Sequence, residues 1–396
     1  MMAQRGIGGS TAIVAVGTSP FTMKPIMSNE ALAAESLKKA LASINKPKDF
    51  IDGIIVTTGF PLGLDYDRIA KALGLNVQFT FQTWSHGRFT NPAIQLAAMA
   101  VHTGMAENVL CINVCAFAKR KERGGAIGGK ESAEEKRIEG GAHGEQPLYG
   151  LAAPMGGAAI AMQKYLSRYG YSGDEIATLV LTQREHALLN PNAAMKKPLT
   201  REEYLSSPYV IEPLRKYDCS LPTDGAASVI VTSSERAKDL CEVPVYMSGM
   251  QPMHAGKNEH SFALPGLGIF IQDEFDYKAN DKALEMAGIT KKDLNGLQIY
   301  DAFVPQTIAT IERFGFCQPG ECLSWIQNGR IGLKGEMPVN TSGGFLSEAH
   351  MVGWNNIVEI VHQLRHEAGP RQVPNAQHMM YAHSSGDATV FSREVR

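Results

Sequence analysis

Short apolar runs alternate with amphipathic stretches along most of this chain, and that alternation restricts the fold more than any other feature. The apolar runs predict strands over Ala12–Val16, Gly53–Thr57, Val109–Val114, Ser228–Thr232, Val245–Ser248, Leu297–Tyr300, Met379–Ala382 and Ala388–Phe391. The amphipathic stretches predict helices over Ala31–Ile44, Pro92–His102, Ala279–Ala287, Ile308–Phe314 and Ile357–His366. Because strands this apolar are usually covered on both faces, the pattern predicts an α/β protein.

A weak pattern also recurs in the same order in the first and second parts of the chain. The sequence DGAASVIVTS from Asp224 and the sequence SGDATVFSR from Ser385 each place a glycine turn before a strand. The sequences DGIIVTT from Asp52 and GLQIYDA from Gly296 each follow an amphipathic helix. An ordered echo of this kind predicts two related halves.

The segment 119–218 differs from both halves, because it opens with the charged, glycine-rich sequence KRKERGGAIGGKESAEEKRIEGG and is rich in proline. We therefore predict an N-terminal half over 1–118 and 219–240, an inserted loop domain over 119–218 and a C-terminal half over 241–396. The charge run is typical of a solvated mobile loop. The alternative is a basic edge that binds a phosphate-bearing ligand or a partner.

The charge balance argues against binding to nucleic acid or to a membrane surface. The chain has 38 Lys and Arg against 40 Asp and Glu, so its net charge of -2 provides no field that would attract a polyanion. The opening sequence MMAQRGIGGSTAIVAVG interrupts its apolar run with glycines, unlike a signal peptide, and no uncharged apolar segment of about 18 residues follows it. These features predict a cytoplasmic protein.

The six cysteines are scattered, as expected for reduced thiols in a cytosolic protein. Cys111 and Cys115 form one close pair and Cys317 and Cys322 another, and the alternative is that both pairs together bind a metal ion. Neither pair has the two-residue spacing that is usual for such sites, so no metal site is predicted.

One loop has the composition of a catalytic turn. From Asn340 to His350 the sequence NTSGGFLSEAH places a polar turn and two glycines before a histidine, and an apolar periodic run follows Gly353. The backbone of Gly343 and Gly344 can approach a ligand closely. A histidine with an ordinary pKa of about 6.5 is suited to proton transfer at neutral pH. His350 is therefore a candidate acid/base group at the start of a helix; the alternative is a helix-capping loop with a hydrogen-bonded histidine.

Several segments together resemble the thiolase superfamily, in particular the sterol-carrier-type thiolases and the thiolase-like aldolases of steroid side-chain breakdown. The matching segments, in that family's order, are LYGLAAP from Leu148, NPNA from Asn190, DCSLPTDGAA from Asp218, YDAF from Tyr300 and the loop that ends at His350. The resemblance spans nearly the whole chain. It implies a five-layer αβαβα thiolase fold with two related halves, a homodimer, no bound cofactor, and coenzyme A as part of the substrate.

The chain departs from that family at the reactive thiols. Thiolases have a nucleophilic cysteine at the start of a buried helix, and this position falls near Gly87, where the chain has no cysteine. A second family cysteine corresponds to Ala302, and a third falls at Ala382 or His383. Without a thiolate to hold an acyl group, two-step Claisen thiolysis is not the favoured reaction.

Retro-aldol cleavage of a 3-hydroxyacyl-CoA needs a base, an acid and an oxyanion site, but no covalent intermediate. The resemblance to the thiolase-like aldolases implies two catalytic positions, which are Tyr300 and His350 in this chain. The further candidate acid/base groups are His86, beside the vacant nucleophile position, and His383, near the vacant third thiol. The candidates for oxyanion or substrate binding are Gly343, Gly344, Asp301 and Ser384. Structural alternatives stay open for Tyr300 as a core tyrosine, His86 as a turn histidine and Asp301 as a loop anchor.

The resulting prediction is an acyl-CoA carbon-carbon lyase that uses acid/base catalysis. The resemblance also implies a small partner of zinc-ribbon and OB-fold type. One alternative is a variant thiolase or acyltransferase subunit that acts on a 3-ketoacyl-CoA, and the other is a non-catalytic subunit that binds acyl-CoA. The acyl group stays open, because steroid side chains, aromatic acyl groups and short branched acids all fit the motifs.

Overall fold

The structure, a computed structural model, describes residues 6–58, 65–84, 89–118, 154–254 and 279–395. The strands are β1 (Thr11–Thr18), β2 (Gly53–Thr58), β3 (Phe79–Trp84), β4 (Asn108–Ala116), β5 (Tyr209–Ile211), β6 (Leu214–Arg215), β7 (Asp224–Ser233), β8 (Val245–Gln251), β9 (Gly296–Ile299), β10 (His378–Ala382) and β11 (Ala388–Ser392). The helices are α1 (Asn29–Ser43), α2 (Tyr66–Leu73), α3 (Thr90–His102), α4 (Pro154–Tyr169), α5 (Ala177–Leu188), α6 (Arg201–Leu205), α7 (Ser234–Leu240), α8 (Lys282–Ala287), α9 (Val304–Arg313), α10 (Cys322–Trp325), α11 (Gly344–Ser347) and α12 (Trp354–Arg365). Within these described ranges, no helix has the length and apolarity needed to cross a membrane.

The main sheet has the strand order β3-β2-β4-β7-β1-β8-β11-β10-β9. On one side, β1 is antiparallel to β7, β7 is antiparallel to β4, and β4 is parallel to β2. On the other side, β8 is antiparallel to β11, β11 is antiparallel to β10, and β10 is parallel to β9. The two sets join where β1 pairs with β8, through Ala12 with Tyr246 and Ile13 with Val245. The N-terminal and C-terminal sets of strands therefore have the same order of strand directions, and they join edge to edge at β1 and β8.

Three apolar cores separate the layers of the fold. Helices α3 and α12 lie between the two sets of strands, where Ile357 of α12 shares a core with Val229 of β7 and Met379 of β10. Helices α1 and α2 cover the other face of the N-terminal set. Helices α4, α5, α8 and α9 cover the other face of the C-terminal set. The order helix, sheet, helix, sheet, helix is that of the predicted αβαβα architecture.

Strand β10 shows why these strands are apolar along their whole length. Met379 and Tyr381 belong to the core between the two sets of strands, whereas Met380 and Ala382 belong to the outer core. Successive side chains of a strand point to opposite faces. Since both faces are covered, both series of side chains are apolar, as in other sheets enclosed by helices.

The described part of the predicted insertion is mostly helical. It contains α4, α5, α6 and the small hairpin of β5 and β6. Helix α4 packs on α9 of the C-terminal half, and the Tyr165 hydroxyl donates to the buried Glu312 carboxylate at 2.5 Å. The charged sequence that opens the insertion lies outside the described residues, and the three domain boundaries stay a prediction.

Two features of the structure differ from the pattern of apolar runs. Strand β3 alternates apolar and polar residues, and as the edge strand of the sheet it keeps Phe81 partly exposed, so no continuous apolar run marks it. His350 is not at the start of a helix as predicted, because helix α12 begins at Trp354. Val352 and Gly353 have φ angles of 47° and 107°, which are not helical, so His350 lies in the loop that precedes α12.

Candidate active site

Two parallel strands bring Tyr300 and His383 together. Strand β9 pairs in parallel with β10 up to Ile299 and Ala382, and the two candidate residues follow directly. The Tyr300 amide donates to the Ala382 carbonyl at 3.3 Å. The centroids of the Tyr300 and His383 rings are 4.9 Å apart. The carboxyl ends of these strands therefore form one wall of the candidate site, where open α/β sheets commonly bind ligands.

Residues 340–350, called the site loop below, lie over the end of β9. The Asn340 side chain accepts a hydrogen bond from the Ile299 amide at 2.7 Å and donates one to the Ile299 carbonyl at 3.1 Å. Both carboxylate oxygens of Asp301 accept from the Phe345 amide, at 3.0 and 3.1 Å. The site loop is thus bonded on one side of its turn to the last residue of β9 and on the other side to Asp301, which follows the strand.

His350, at the end of the site loop, is enclosed by aromatic rings. Phe117 and Phe345 stack with it, at centroid distances of 5.2 and 4.7 Å and interplanar angles of 24°. The Tyr300 ring lies edge-on at 6.2 Å. On the polar side, the His350 Nδ1 atom is 3.1 Å from the Ser220 hydroxyl. His350 therefore joins the Tyr300 and His383 rings in one cluster, called the three-ring cluster below.

The segment that follows Asp218 supports His350 from a third direction. The Ser220 amide donates to the Ala302 carbonyl at 2.9 Å, which places this segment beside the residues after β9. Thr223 Oγ1 accepts from the His350 amide at 2.9 Å. Ser220 belongs to the DCSLPTDGAA segment that begins at Asp218, but nothing in the sequence pairs it with His350. Only the folded chain shows that contact.

The His350 imidazole is neutral at neutral pH. Burial lowers its pKa to about 3, because the charged form would lose its hydration among apolar groups. Its Nε2 atom is buried and has no hydrogen-bond partner in the described part of the chain. A buried polar atom without a partner costs about 1–3 kcal/mol, so this atom marks a place for a ligand group.

Gly343 and Gly344 allow the site loop to pack closely against neighbouring elements. Their φ angles are 107° and 57°. A Cβ atom at Gly343 would lie 2.6 Å from the Cβ of Ala187, and one at Gly344 would collide with Asp301 Oδ2. The Gly343 amide donates to the Asn340 carbonyl at 2.9 Å. The role of the two glycines in binding the thioester oxygen stays a prediction. These glycines let the site loop approach α5 and the residues after β9.

Asp301 is completely buried and binds the site loop. Burial raises its pKa to about 7, although the hydrogen bonds from the Phe345 amide oppose the rise. Both oxygens of the Asp301 carboxylate thus bind the backbone of the site loop. The geometry therefore favours the reading of Asp301 as a loop anchor over the prediction that it binds substrate.

His383 and Ser384 lie in the turn between β10 and β11. The His383 Nδ1 atom accepts from the Ser385 amide at 3.0 Å. Ser384 is almost fully buried, and its carbonyl accepts from the Arg313 guanidinium at 3.0 Å. His383 is thus part of the three-ring cluster, and the hydrogen bond to the Ser384 carbonyl holds the turn in place. The catalytic role of His383 and the substrate-binding role of Ser384 stay predictions.

The predicted residues around the vacant nucleophile position, His86 and Gly87, lie outside the described residues. The first turn of α3, just beyond them, contacts both sides of the site. The Thr90 hydroxyl donates to the Val352 carbonyl, and Asn91 Nδ2 donates to Asp387 Oδ2 at 2.9 Å. A single Asn in a helix and a single Asp after a turn give no sequence signal, so Asn91 and Asp387 are residues that sequence reasoning missed.

The described site offers proton-transfer and hydrogen-bonding groups. Across the described ranges, no group of three or more His, Cys, Asp or Glu side chains is placed to hold a metal ion. Cys111 and Cys115 pack in the core between the sheets and Cys322 in the outer core, so the two cysteine pairs do not converge. A tyrosine hydroxyl beside two imidazoles can transfer protons and stabilise an oxyanion.

Comparison with known proteins agrees with this geometry. The family described as "Thiolase C-terminal domain-like" matches residues 275–394. A 17-hydroxy-3-oxo-4-pregnene-20-carboxyl-CoA lyase of Mycobacterium tuberculosis is 31% identical over 401 residues, covering 97% of this chain and 98% of the relative. A steroid side-chain-cleaving aldolase of Thermomonospora curvata is 28% identical over 368 residues, 90% of each chain. The solved structure of an Ltp2-ChsH2(DUF35) aldolase has a TM-score of 0.84 and 26% identity, and 98% of each chain is covered. The chain therefore belongs to the thiolase-like aldolases of the thiolase superfamily, and the predicted family and fold are confirmed.

Proposed function

We propose that this protein is an acyl-CoA carbon-carbon lyase that cleaves a 3-hydroxyacyl-CoA by a retro-aldol reaction without a covalent intermediate. The observation that carries the proposal is the three-ring cluster, in which the buried Nε2 atom of His350 has no partner among the described residues. A substrate hydroxyl beside that atom would supply the missing hydrogen bond. The names of the relatives, a lyase and an aldolase, support the same reaction class.

In the proposed reaction, Nε2 of His350 accepts the proton of the 3-hydroxyl group while the bond between carbon 2 and carbon 3 breaks. Carbon 3 becomes a carbonyl carbon, and the electron pair of the broken bond forms the enolate of the thioester. Tyr300 then donates its hydroxyl proton to carbon 2, and the proton held by His350 returns to the Tyr300 oxygen. The net change moves one proton from oxygen to carbon 2, and no thiol takes part.

The apolar surroundings of His350 fit this sequence of steps. In the empty site the ring is a weak base, since burial lowers its pKa to about 3. The enolate forms in the same step and beside the ring, so its negative charge offsets the cost of the imidazolium. Phe117 and Phe345 both stack with the ring, and in these apolar surroundings the attraction is stronger than in water. Proton uptake is therefore coupled to carbon-carbon cleavage.

The proposed substrate class is a steroid acid bound to coenzyme A, with a hydroxyl group on carbon 3 of the acyl chain. The names of two relatives support this class. We further propose a homodimer that works in the cytoplasm with a small zinc-ribbon and OB-fold partner, and the Ltp2-ChsH2(DUF35) aldolase supports a DUF35-type partner. Coenzyme A enters as part of the substrate, and no bound cofactor is required by the steps above.

Parallel assays test the proposal. The purified chain, with and without a DUF35-type partner, is incubated with aliphatic, aromatic and steroid 3-hydroxyacyl-CoA, and separately with matched 3-ketoacyl-CoA plus coenzyme A. We expect a carbonyl product and a shortened acyl-CoA from the hydroxy series, and a loss of about 100-fold or more in kcat for His350→Gln. His362→Gln, a histidine of α12 outside the three-ring cluster, is the matched control. Thiolysis without aldol cleavage would support the acyltransferase alternative, and binding without either reaction would support the scaffold alternative.

A further inference from the structure

Glu348 lies two residues before His350 in the site loop, and its carboxylate is buried. Asn190 Nδ2 donates to its Oε1 atom at 2.9 Å, and the Ser342 hydroxyl and Asn355 Nδ2 donate to its Oε2 atom at 2.6 and 2.7 Å. These donors come from the segment after α5, from the beginning of the site loop and from the first turn of α12. The carboxylate therefore joins three separate parts of the fold next to His350.

The NPNA segment, which begins at Asn190, has no part in the reaction steps proposed above, but it binds both ends of the site loop. Asn190 Nδ2 donates to the Ser342 carbonyl at 3.1 Å as well as to the Glu348 carboxylate. Directly after the segment, the Ala194 amide donates to the Glu348 carbonyl at 2.8 Å. The NPNA segment therefore holds Glu348 through both its side chain and its backbone.

The ionised carboxylate of Glu348 restricts the site loop to one arrangement. Burial raises the pKa of Glu348 to about 7, although the hydrogen bonds from Asn355 and Ser342 oppose the rise, so above neutral pH the group is ionised and accepts from all three donors. A buried carboxylate is costly wherever its donors are missing. A displacement of the site loop would separate it from these donors, so the observed arrangement is favoured over displaced ones.

We propose that Glu348, held by Asn190, is a positioning residue that directs the His350 ring toward the 3-hydroxyl group of the substrate. This inference rests on the proposed retro-aldol reaction, in which His350 Nε2 accepts the hydroxyl proton. Only Ala349 separates Glu348 from His350, so the Glu348 backbone limits where the imidazole can lie. Proton transfer requires this precision, because a misplacement of about 1 Å can lower a rate by about 100-fold.

A double-mutant cycle at pH 8 tests whether Glu348 acts through His350. Glu348→Ala is expected to lower kcat by about tenfold to 100-fold with KM changed less than about twofold, and to have no further effect on kcat in the His350→Gln background. Glu312→Ala is the matched control, since Glu312 is a buried carboxylate that accepts from the Tyr165 hydroxyl and from the Gly320 and Cys322 amides. Its kcat should stay within about twofold of the wild type. Equal losses of kcat in Glu348→Ala and Glu312→Ala, or effects of Glu348→Ala and His350→Gln that multiply, would overturn the inference.

The position of the His350 ring is measured directly by NMR of the protein with ring-labelled histidine, with the His350 signal assigned by its loss in His350→Gln. Phe117 and Phe345 stack with this ring, so their ring currents displace its signal from that of an exposed histidine. We expect the displacement to shrink in Glu348→Ala and to stay the same in Glu312→Ala. An unchanged signal in Glu348→Ala would contradict the inference.

A second variant and the wild type separate the possible failures of this test. If Glu348→Ala does not fold, Asn190→Ala replaces it, because it removes one of the three donors and leaves the carboxylate with the other two. The same change of the His350 signal is then expected, with a smaller loss of kcat, and an unchanged signal and kcat would contradict the inference. If the wild type shows no aldol cleavage, the proposed function fails, while the NMR result still decides whether Glu348 positions the His350 ring.

Discussion

Gly344→Ala tests whether close contact between the site loop and Asp301 maintains the site. The φ angle of 57° at Gly344 costs an L-residue about 1–2 kcal/mol. The added Cβ atom would also collide with Asp301 Oδ2, and Asn340 Nδ2 would lie 2.9 Å from it. Overpacking of a buried site costs about 1–3 kcal/mol more. We therefore expect a total destabilisation of about 2–5 kcal/mol, from the sum of these ranges.

Equilibrium urea unfolding compares this variant with Gly369→Ala. Gly369 has a similar φ angle of 61°, but a Cβ atom there would meet nothing within 4 Å, so the control carries the backbone cost alone. We expect Gly369→Ala to lose about 1–2 kcal/mol and to keep its activity. Gly344→Ala should lose more stability and also its lyase activity, because the site loop carries His350. Equal destabilisation of the two variants, with activity kept in both, would refute the argument.

Three further substitutions test individual groups. Tyr300→Phe is expected to lower kcat by about 100-fold or more with little change in KM, because the hydroxyl that protonates carbon 2 is lost. Steady-state kinetics with the wild type as reference measure this, and an unchanged kcat would remove Tyr300 from the mechanism. As the pH is lowered below about 6.5, His350 becomes protonated in the unfolded chain, whereas in the folded protein it stays neutral until about pH 3. The free energy of unfolding of the wild type should therefore fall relative to that of His350→Gln by about 1.4 kcal/mol for each pH unit. Urea unfolding at pH 7 and pH 5 measures this, and equal changes in both proteins would contradict the lowered pKa. Ser220→Ala removes the hydroxyl that contacts His350 Nδ1 and should lower kcat by about tenfold, as expected for the loss of one hydrogen bond. The same steady-state kinetics measure this, and an unaltered kcat would show that Ser220 has no part in proton transfer.

Residues that belong to local motifs could be predicted from the sequence. The family resemblance, carried by the YDAF segment and the loop with two glycines, pointed to Tyr300 and His350, and the folded chain brings their rings to 6.2 Å. Their catalytic roles stay predictions. The apolar runs likewise identified the strands that are covered on both faces. Edge strand β3 is covered less completely, so it carries polar residues and has no such run.

Properties that depend on distant contacts could not be predicted in this way. The neutral state of His350 comes from its burial, with Phe117 stacked on one ring face, and Phe117 lies far away in the sequence. The partnership of Asn91 with Asp387 joins α3 to the turn after β10. A Cβ atom at Gly343 would meet Ala187 and one at Gly344 would meet Asp301, and both neighbours belong to other elements of the fold. In each case the deciding atom is supplied by another element of the fold.

The central claim is that the three-ring cluster breaks a carbon-carbon bond by proton transfer alone. A single-turnover reaction in D2O, quenched at intervals and analysed by mass spectrometry of both the acyl-CoA product and the intact protein, tests it most directly. We expect a shortened acyl-CoA with one deuterium on carbon 2, a released carbonyl compound, and a protein mass that never changes. An acyl group attached to the protein during turnover, or an acyl-CoA product formed only when free coenzyme A is added, would contradict it.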